Sequence, residues 1–321
     1  MTRVYIVIAV IIPYYKISFF DETLASLSRQ TNKNFNVYIG NDNSKDDPAQ
    51  LIESYNGRIK IFYKKFDKNI GETNLVKQWM RCYRLINNEE WFFFLPDDDT
   101  ISENYIEEFY LALQYPEINK VNIIKYPCRN LSEDLLISPT RCKVESNLDF
   151  YCRVLYGEDG GTLGDVVFRR SAFERYGGFI NFPRGWGSDH ATLLSVSKDS
   201  LIYHVSNAHL NFRMSGENIS SQSGDGAEKM QARCMFARWL KKNSDIFSEE
   251  PGSKFYKYFY WKGEYYFIYA WDWSLKTIIS LCQLYIICNG LDDFFAPLRS
   301  IIKKMKYTTF FFVRSKKRTV E

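Results

Sequence analysis

Apolar, β-branched runs alternate with stretches of helical spacing through the first half of the chain, the signature of βαβ units around a mainly parallel sheet. Residues 4–12 predict a first buried strand, 20–28 a helix, and 35–39 a second strand that stops at the polar loop Asn41-Asp42-Asn43-Ser44. The pattern repeats with a helix over 48–55, a strand over 59–63, a loop holding Asn69 and Gly71, a helix over 72–85 and a fourth strand over 91–95. Asp97 begins where that strand ends. In open α/β sheets ligands sit beyond the carboxyl ends of strands, so Pro13, Asp42 and the run Asp97-Asp98-Asp99 are expected to converge on one crevice.

Helical spacing returns over 102–114, followed by a strand over 121–126 and a segment, 128–147, that reads as an irregular insertion. A strand over 166–168, a short helix over 171–176, the turn Gly177-Gly178, a helix over 188–197 and a strand over 201–205 complete the unit. From about residue 227 the chain is helical and aromatic, without internal repeats. The expected organisation is an α/β domain over 1–225 with a mainly parallel, Rossmann-like sheet, and a helical C-terminal extension over 226–321.

Composition narrows the function. With 321 residues, 45% hydrophobic and 25% charged, the chain can bury a full core, and no low-complexity tract suggests disorder away from the termini. A net charge of +4 is too small to demand a nucleic-acid partner, and none is expected. Its distribution is more telling. From Arg299 onward come Lys303, Lys304, Lys306, Arg314, Lys316, Lys317 and Arg318, interleaved with Tyr307 and Phe310–Phe312, which suits either peripheral contact with an anionic membrane surface or a solvated basic tail. Seven cysteines without a close CxxC pair read as free thiols in a reducing compartment, hence a cytoplasmic protein, peripheral on the cytoplasmic face of the membrane if the tail docks there. The apolar start is followed by Pro13-Tyr14-Tyr15-Lys16 and not by a cleavage site, and no stretch reaches the roughly 20 apolar residues of a membrane span; the interrupted 278–287 comes nearest.

Three carboxylates directly after the apolar Trp91-Phe92-Phe93-Phe94-Leu95 repel one another unless a cation neutralises them, and Mg²⁺ or Mn²⁺ with phosphate oxygens is the natural partner. A solvated turn capping the next helix is the plain alternative. Asp42 is placed either to accept a hydrogen bond from the imide of a pyrimidine base or to close an ordinary Asx turn. Asp189 opens a helix after the glycine-rich, aromatic stretch 182–187, where it serves as a general base toward an attacking hydroxyl or simply as a cap. His209 is a structural histidine or a member of a metal shell. The loop 213–221 lacks periodicity and carries Arg213, which suits a diphosphate; it is a lid over that group or a plain surface loop.

Several marks fall in order. The strand ending Pro13-Tyr14-Tyr15, Ser28-Arg29-Gln30-Thr31, Asn41-Asp42-Asn43-Ser44, Asn69-Ile70-Gly71, Asp97 to Asp99, Phe168-Arg169-Arg170-Ser171 through Gly177-Gly178-Phe179, and Ser188-Asp189 span roughly residues 4–221. This ordered set resembles the inverting glycosyltransferase family 2, of GT-A fold. The resemblance implies a nucleotide-binding half over 1–100 and an acceptor half over 101–225. It implies a donor set of Pro13, Tyr15, Asp42, Asn69, Gly71, Asp97, Asp98 and Arg213, a Mn²⁺ or Mg²⁺ held by Asp98, Asp99 and His209, and Asp189 as catalytic base. One sugar would pass from a nucleoside diphosphate donor, UDP-linked in the first instance, to a saccharide acceptor, lipid-linked in bacterial O-antigen, capsule or other surface polysaccharide synthesis. Two departures stand out: Asn41 replaces the usual first acid of its loop, and Pro96 stands where the metal motif often begins with Asp. Processive relatives carry Gln-x-x-Arg-Trp; here Gln231 lies too far from Arg238-Trp239, so single addition is expected. The competing classes are a sugar-nucleotide or glycan-binding protein without catalysis and a nucleotidyltransferase, the latter disfavoured because no glycine-rich, lysine-bearing phosphate loop follows the first strand.

Overall fold

A computed structural model of the chain describes residues 7–138, 140, 142–156, 158–159, 163–214, 225–247, 251–269, 274–291 and 295–306. The chain divides into two compact units, Met1–Asn181 with Ser188–Asn218 and Ile246–Ser248, and Phe182–Gly187 with Ile219–Asp245 and Glu249–Glu321.

The first unit follows the predicted alternation: β1 (Ile8–Tyr14), α1 (Phe20–Ser28), β2 (Phe35–Asn41), α2 (Ala49–Glu53), β3 (Ile61–Lys65), α3 (Leu75–Tyr83) and β4 (Trp91–Phe94). These strands are parallel neighbours in the order β3-β2-β1-β4. Strands covered on both faces read as unbroken apolar runs, and Ile8 to Ile12 and Phe92 to Leu95 are accordingly almost inaccessible to water. The chain leaves β1 toward β2 and β3, then returns to its other side at β4. That reversal opens a crevice at the strand ends. It is widened because pairing between β1 and β4 ends at Ile11 opposite Phe94, while Pro13 and Tyr14 run on beside Gly40 and Asn41 of β2.

Next come β5 (Thr100–Ile101), α4 (Tyr105–Ala112), β6 (Val121–Lys125), β7 (Cys128–Asn130), β8 (Leu135–Ser138), β9 (Val144–Glu145), α5 (Asn147–Tyr156), β10 (Val166–Arg169), α6 (Arg170–Arg175), α7 (Ser188–Val196), β11 (Leu201–His204) and β12 (Leu210–Phe212). The large sheet continues β4-β10-β6-β11-β9, with β10 antiparallel to both its neighbours. The expected irregular insertion over 128–147 is corrected: β7 and β8 build a second sheet of order β5-β12-β7-β8, and β9 edges the first. Strands of two to four residues are too short to show an alternation, and β7 owes its conformation to a partner about 80 residues away. Helix α5 also escaped the pattern, although Ser146 caps it, its Oγ accepting from Asp149 N at 3.1 Å and donating to Asp149 Oδ2 at 2.7 Å.

The second unit is helical, with α8 (Gly226–Lys242), α9 (Ser253–Tyr269), α10 (Leu275–Asn289) and α11 (296–306). The segment 182–187, expected within the first domain, belongs to this unit. Gly187 lies under Phe236 of α8, where a Cβ would sit 2.8 Å from Cδ1 of the ring. Buried Arg233 donates through Nε to the Phe259 carbonyl at 3.2 Å and lies over that ring at 4.1 Å.

One close approach in the first unit gives a stability test. At Gly40 on β2 a Cβ would fall 2.4 Å from Cys82 Sγ on α3. Overpacking of this kind costs about 1–3 kcal/mol. Gly40→Ala is therefore expected to lower the urea midpoint accordingly, and Cys82→Ala in the same chain to recover most of the loss; equal losses in both backgrounds would rule out this contact as the cause.

Candidate active site at the strand ends

The polar residues beyond β1, β2 and β4 are tied into one framework. Asp97 reaches back to the loop after β1, where its Oδ2 accepts from Tyr15 N at 2.6 Å and Lys16 N at 2.7 Å. Ser44 Oγ donates to the Tyr15 carbonyl at 2.6 Å, and Asp42 N donates to the Tyr14 carbonyl at 3.0 Å. Asp42 is buried, and its two oxygens accept from Ile70 N at 2.9 Å and Gly71 N at 2.7 Å while Arg81 adds a short ion pair. A Cβ on Gly71 would stand 2.5 Å from Asp42 Oδ2, so glycine is what lets the Asn69-Ile70-Gly71 loop close on the carboxylate. Asn69 Oδ1 accepts from Glu72 N at 3.2 Å, turning the chain toward α3. Asn41 donates to the Tyr63 hydroxyl and accepts from Ser44 N, neutral bonds in the place of the expected acid.

The second sheet supplies the other wall. β5 leaves the acidic run directly and pairs with β12, Thr100 opposite Asn211 and Ile101 opposite Leu210. That register sets Arg213 beside the carboxylates: its N donates to Asp99 Oδ1 at 2.9 Å, its Nε to the Asp98 carbonyl at 3.1 Å, and its guanidinium meets Glu22 and covers Phe19 at 4.2 Å. His209 falls at the other end of β12, its N donating to Ser102 Oγ at 3.0 Å. Three residues along a ladder is about 10 Å, so His209 is not brought to the acidic run. Burial and then Arg129 lower the pKa of its imidazole, against a bond with Asn211 that favours the charged form. Of the loop 213–221, Arg213 and Met214 are described; 215–221 lie outside the described residues.

The acidic run itself fits a divalent cation. Asp98 and Asp99 are buried, and Asp99 Oδ2 has no hydrogen-bond partner. A buried carboxylate oxygen left without donor or counter-charge is costly, and a hard cation with carboxylate and phosphate oxygens is what it lacks. Burial, reinforced by Asp98, pushes the Asp99 carboxyl well above the ordinary range; burial likewise lifts Asp97 to about 6, against its two backbone donors. Among the described residues, the one trio of metal-ligating types whose ligand atoms all lie within 4.8 Å of one another is not the acidic run but Cys142, Glu145 and His204, where Glu145 is already engaged by Arg153 and by His204 at 2.6 Å.

The profile of glycosyl transferase family 2 matches residues 9–177, from the first strand to the turn after α6. The chain belongs to this family. It is 30% identical over 123 residues, 36% of its length, to an uncharacterized glycosyltransferase of Rickettsia conorii, of which the match spans only 20%. Among solved structures it resembles S. aureus TarS 1–349 in complex with UDP-GlcNAc, with a TM-score of 0.68 at 15% identity over 88% of this chain and 82% of that one. It also resembles the mannosyltransferase PcManGT of Pyrobaculum calidifontis in complex with GDP-Man and Mn²⁺, with a TM-score of 0.53 at 13% identity over 87% and 73% of the two chains. At such identities the likeness establishes the fold, which is the expected GT-A type.

Asp189 stands in the first turn of α7, where the unpaired backbone N–H groups favour an anion. It lines a pocket with His190, Lys125, Asp165, Phe150 and Phe168. Between the pocket's lining residues Leu163 and Asp165, Gly164 packs against Pro96, from which a Cβ would stand 3.1 Å. At its floor Lys125 is fully buried and donates to Asp165 Oδ2 at 2.8 Å, with Asp159 at 3.7 Å. Burial alone would strip its proton; the two carboxylates outweigh that and raise its pKa. Sequence reasoning passed over these three residues. The available signal was Lys125 itself, a lysine directly after the apolar Ile123-Ile124 within the strand 121–126.

The raised acids fix a pH response. A carboxyl whose folded pKa exceeds its ordinary 3.8 favours folding in its protonated form, so stability present below about pH 4 is lost as pH rises through about 6. Without divalent metal, the thermal midpoint of the protein is expected to fall across that window relative to Asp97→Asn, and Mn²⁺ to restore it above pH 6. Parallel profiles for the two proteins would remove Asp97 as the source.

Proposed function

We propose that the chain is a metal-dependent inverting glycosyltransferase that moves one sugar from a nucleoside diphosphate donor, UDP-linked in the first instance, to a saccharide hydroxyl. The observation that carries this is the buried, unpartnered Asp99 Oδ2 beside Asp98 and Arg213; Asp189 lines a pocket of the same unit. Relatives solved with UDP-GlcNAc, UDP and GDP-Man support the donor class. The neighbour solved with Mn²⁺ supports the metal.

In this reading the nucleotide lies over the ends of β1 and β2, against Pro13, Tyr15, Asn69 and Gly71, with Asp42 at the base. Asp98 and Asp99 would hold Mn²⁺ or Mg²⁺, which when bound would supply Lewis-acid stabilisation to the departing diphosphate, and Arg213 adds fixed positive charge beside them. The acceptor oxygen attacks the anomeric carbon from the face opposite the diphosphate, and the bond to the leaving phosphate oxygen breaks. Asp189 takes the hydroxyl proton, so the sugar is inverted in one displacement. An acceptor carried on a lipid, as in bacterial surface polysaccharide synthesis, would bring the reaction to a membrane.

General-base removal costs about 10²–10⁴ in rate. Asp189→Asn is expected to lose transfer by that factor while donor affinity, read by calorimetry, changes less than twofold; undiminished turnover would refute its role as base. In the same titrations UDP, GDP, CDP and dTDP are compared with and without Mn²⁺. Binding of one nucleotide only with metal, abolished in Asp98→Ala with Asp99→Ala, is the expected result. Nucleotide binding without transfer to any acceptor would favour the non-catalytic sugar-nucleotide-binding class.

A further inference from the structure

The helical unit carries outward faces unlike those of a helix packed against water. α10 buries Thr277, Leu281, Leu284 and Cys288 on one side. Its opposite stripe holds Leu275, Ile279 and Ile286, followed by Leu291, exposed to 72, 49, 48 and 69% respectively. Lys276 and Gln283 alone interrupt it with exposed polar side chains before the end of the helix. A solvated stripe at this spacing is normally charged.

α11 repeats the pattern with positive charge added. It turns Ser300 and Lys304 toward α9, where Ser300 Oγ donates to Glu264 Oε1 and Lys304 Nζ to the Phe267 carbonyl, both at 2.6 Å. Outward stand Leu298, Ile302 and Met305, with Arg299, Lys303 and Lys306 exposed among them. Neither helix contains an acidic residue. On α9 the exposed aromatics are Trp261 and Tyr265, on the same stripe as exposed Lys254 and Lys257.

We propose that α10 and α11 form a docking surface for an anionic phospholipid membrane. Exposed aliphatic side chains flanked by bases, on helices none of which is long and apolar enough to cross a bilayer, match the requirements of an element lying in the headgroup plane. Trp and Tyr are the aromatic residues that favour that interface. A second copy of the chain is the weaker occupant, because pairing this face with itself would set Arg299, Lys303 and Lys306 against their own kind without a single acid from either helix. Residues 307–321, outside the described residues, continue the aromatic and basic composition. The proposal stands independently of the transferase reading, because its test needs no donor, metal or acceptor.

The full chain is floated with phosphatidylcholine vesicles and with vesicles in which a third of the lipid is phosphatidylglycerol. Binding is expected to the anionic vesicles, weakened by high salt, with little to the neutral ones. At about 1 kcal/mol per basic residue, the combined change Arg299→Glu, Lys303→Glu and Lys306→Glu should weaken it roughly a hundredfold. Leu298→Glu with Ile302→Glu, and separately Leu275→Glu with Ile279→Glu, should reduce it at least tenfold while the circular dichroism spectrum and thermal midpoint stay unchanged, since all four side chains are exposed. Flotation with neither vesicle, or undiminished flotation of the leucine and isoleucine variants, overturns the proposal. So does a concentration-dependent dimer that Leu298→Glu dissolves, or binding lost only on Lys316→Glu with Lys317→Glu, which would assign it to residues 307–321.

Discussion

Three consecutive carboxylates at the end of a buried strand repel one another, and the surrounding loops are organised by how each charge is met. Asp97 is turned back on the chain and takes two backbone donors from the loop after β1. Asp99 takes one from Arg213, and its second oxygen has none. Asp98 is buried next to both. The first acid therefore shapes the crevice, while the last two retain the electrostatic demand that a cation would answer. The same division appears at Asp42, where closure of the Ile70-Gly71 loop and the Arg81 ion pair hold the strand end in shape. Preorganised backbone around a small residue of unmet charge is how a site gains affinity without rearranging when its ligand arrives.

The half of the fold wound around β1 was legible because β1, β2 and β4 are apolar runs buried almost throughout and its helices are amphipathic, so most elements announce themselves within their own residues. α1 was expected over 20–28 and occupies Phe20–Ser28. The second sheet was not legible, because β5 and β12 are two and three residues long and exist through each other. That omission has a consequence at the site. Arg213 was singled out for its charge and His209 for its side-chain type, yet only the β5–β12 register separates them, setting one against Asp99 and the other three positions away, opposite Ser102. Residue chemistry proposed both; strand pairing, which a single sequence does not display, decided between them.

Lys125 shows the converse. A lysine in an apolar strand has few tolerable fates, and here it is held by Asp165 and Asp159 at the end of β6, beneath the pocket that Asp189 lines. The pair is too deeply buried to be a solvated ornament, and removing either partner would leave an uncompensated charge in the core. Asp165 follows Gly164, which packs on Pro96, the residue before the acidic run.

The helical unit explains why a chain of ordinary composition can still carry an unusual surface. A helix apolar on one stripe is soluble, and one apolar all round belongs in a core or at a lipid boundary. α10 comes close to the second kind, with Leu281 and Leu284 inward and Ile279 and Ile286 outward, yet at fifteen residues it is too short to span a bilayer. Hydropathy along the chain registered this only as the interrupted run 278–287. What distinguishes a short core helix from an interfacial one is whether its second face is covered, and that depends on tertiary packing. α11 sharpens the distinction: Ser300 and Lys304, which it turns inward, are polar and satisfied by α9, while Leu298, Ile302 and Met305 stand exposed among three bases. Burying polar groups with partners and leaving aliphatic ones in the open reverses the usual economy of a water-facing helix. The reversal becomes stable when a lipid interface, rather than water, receives that face.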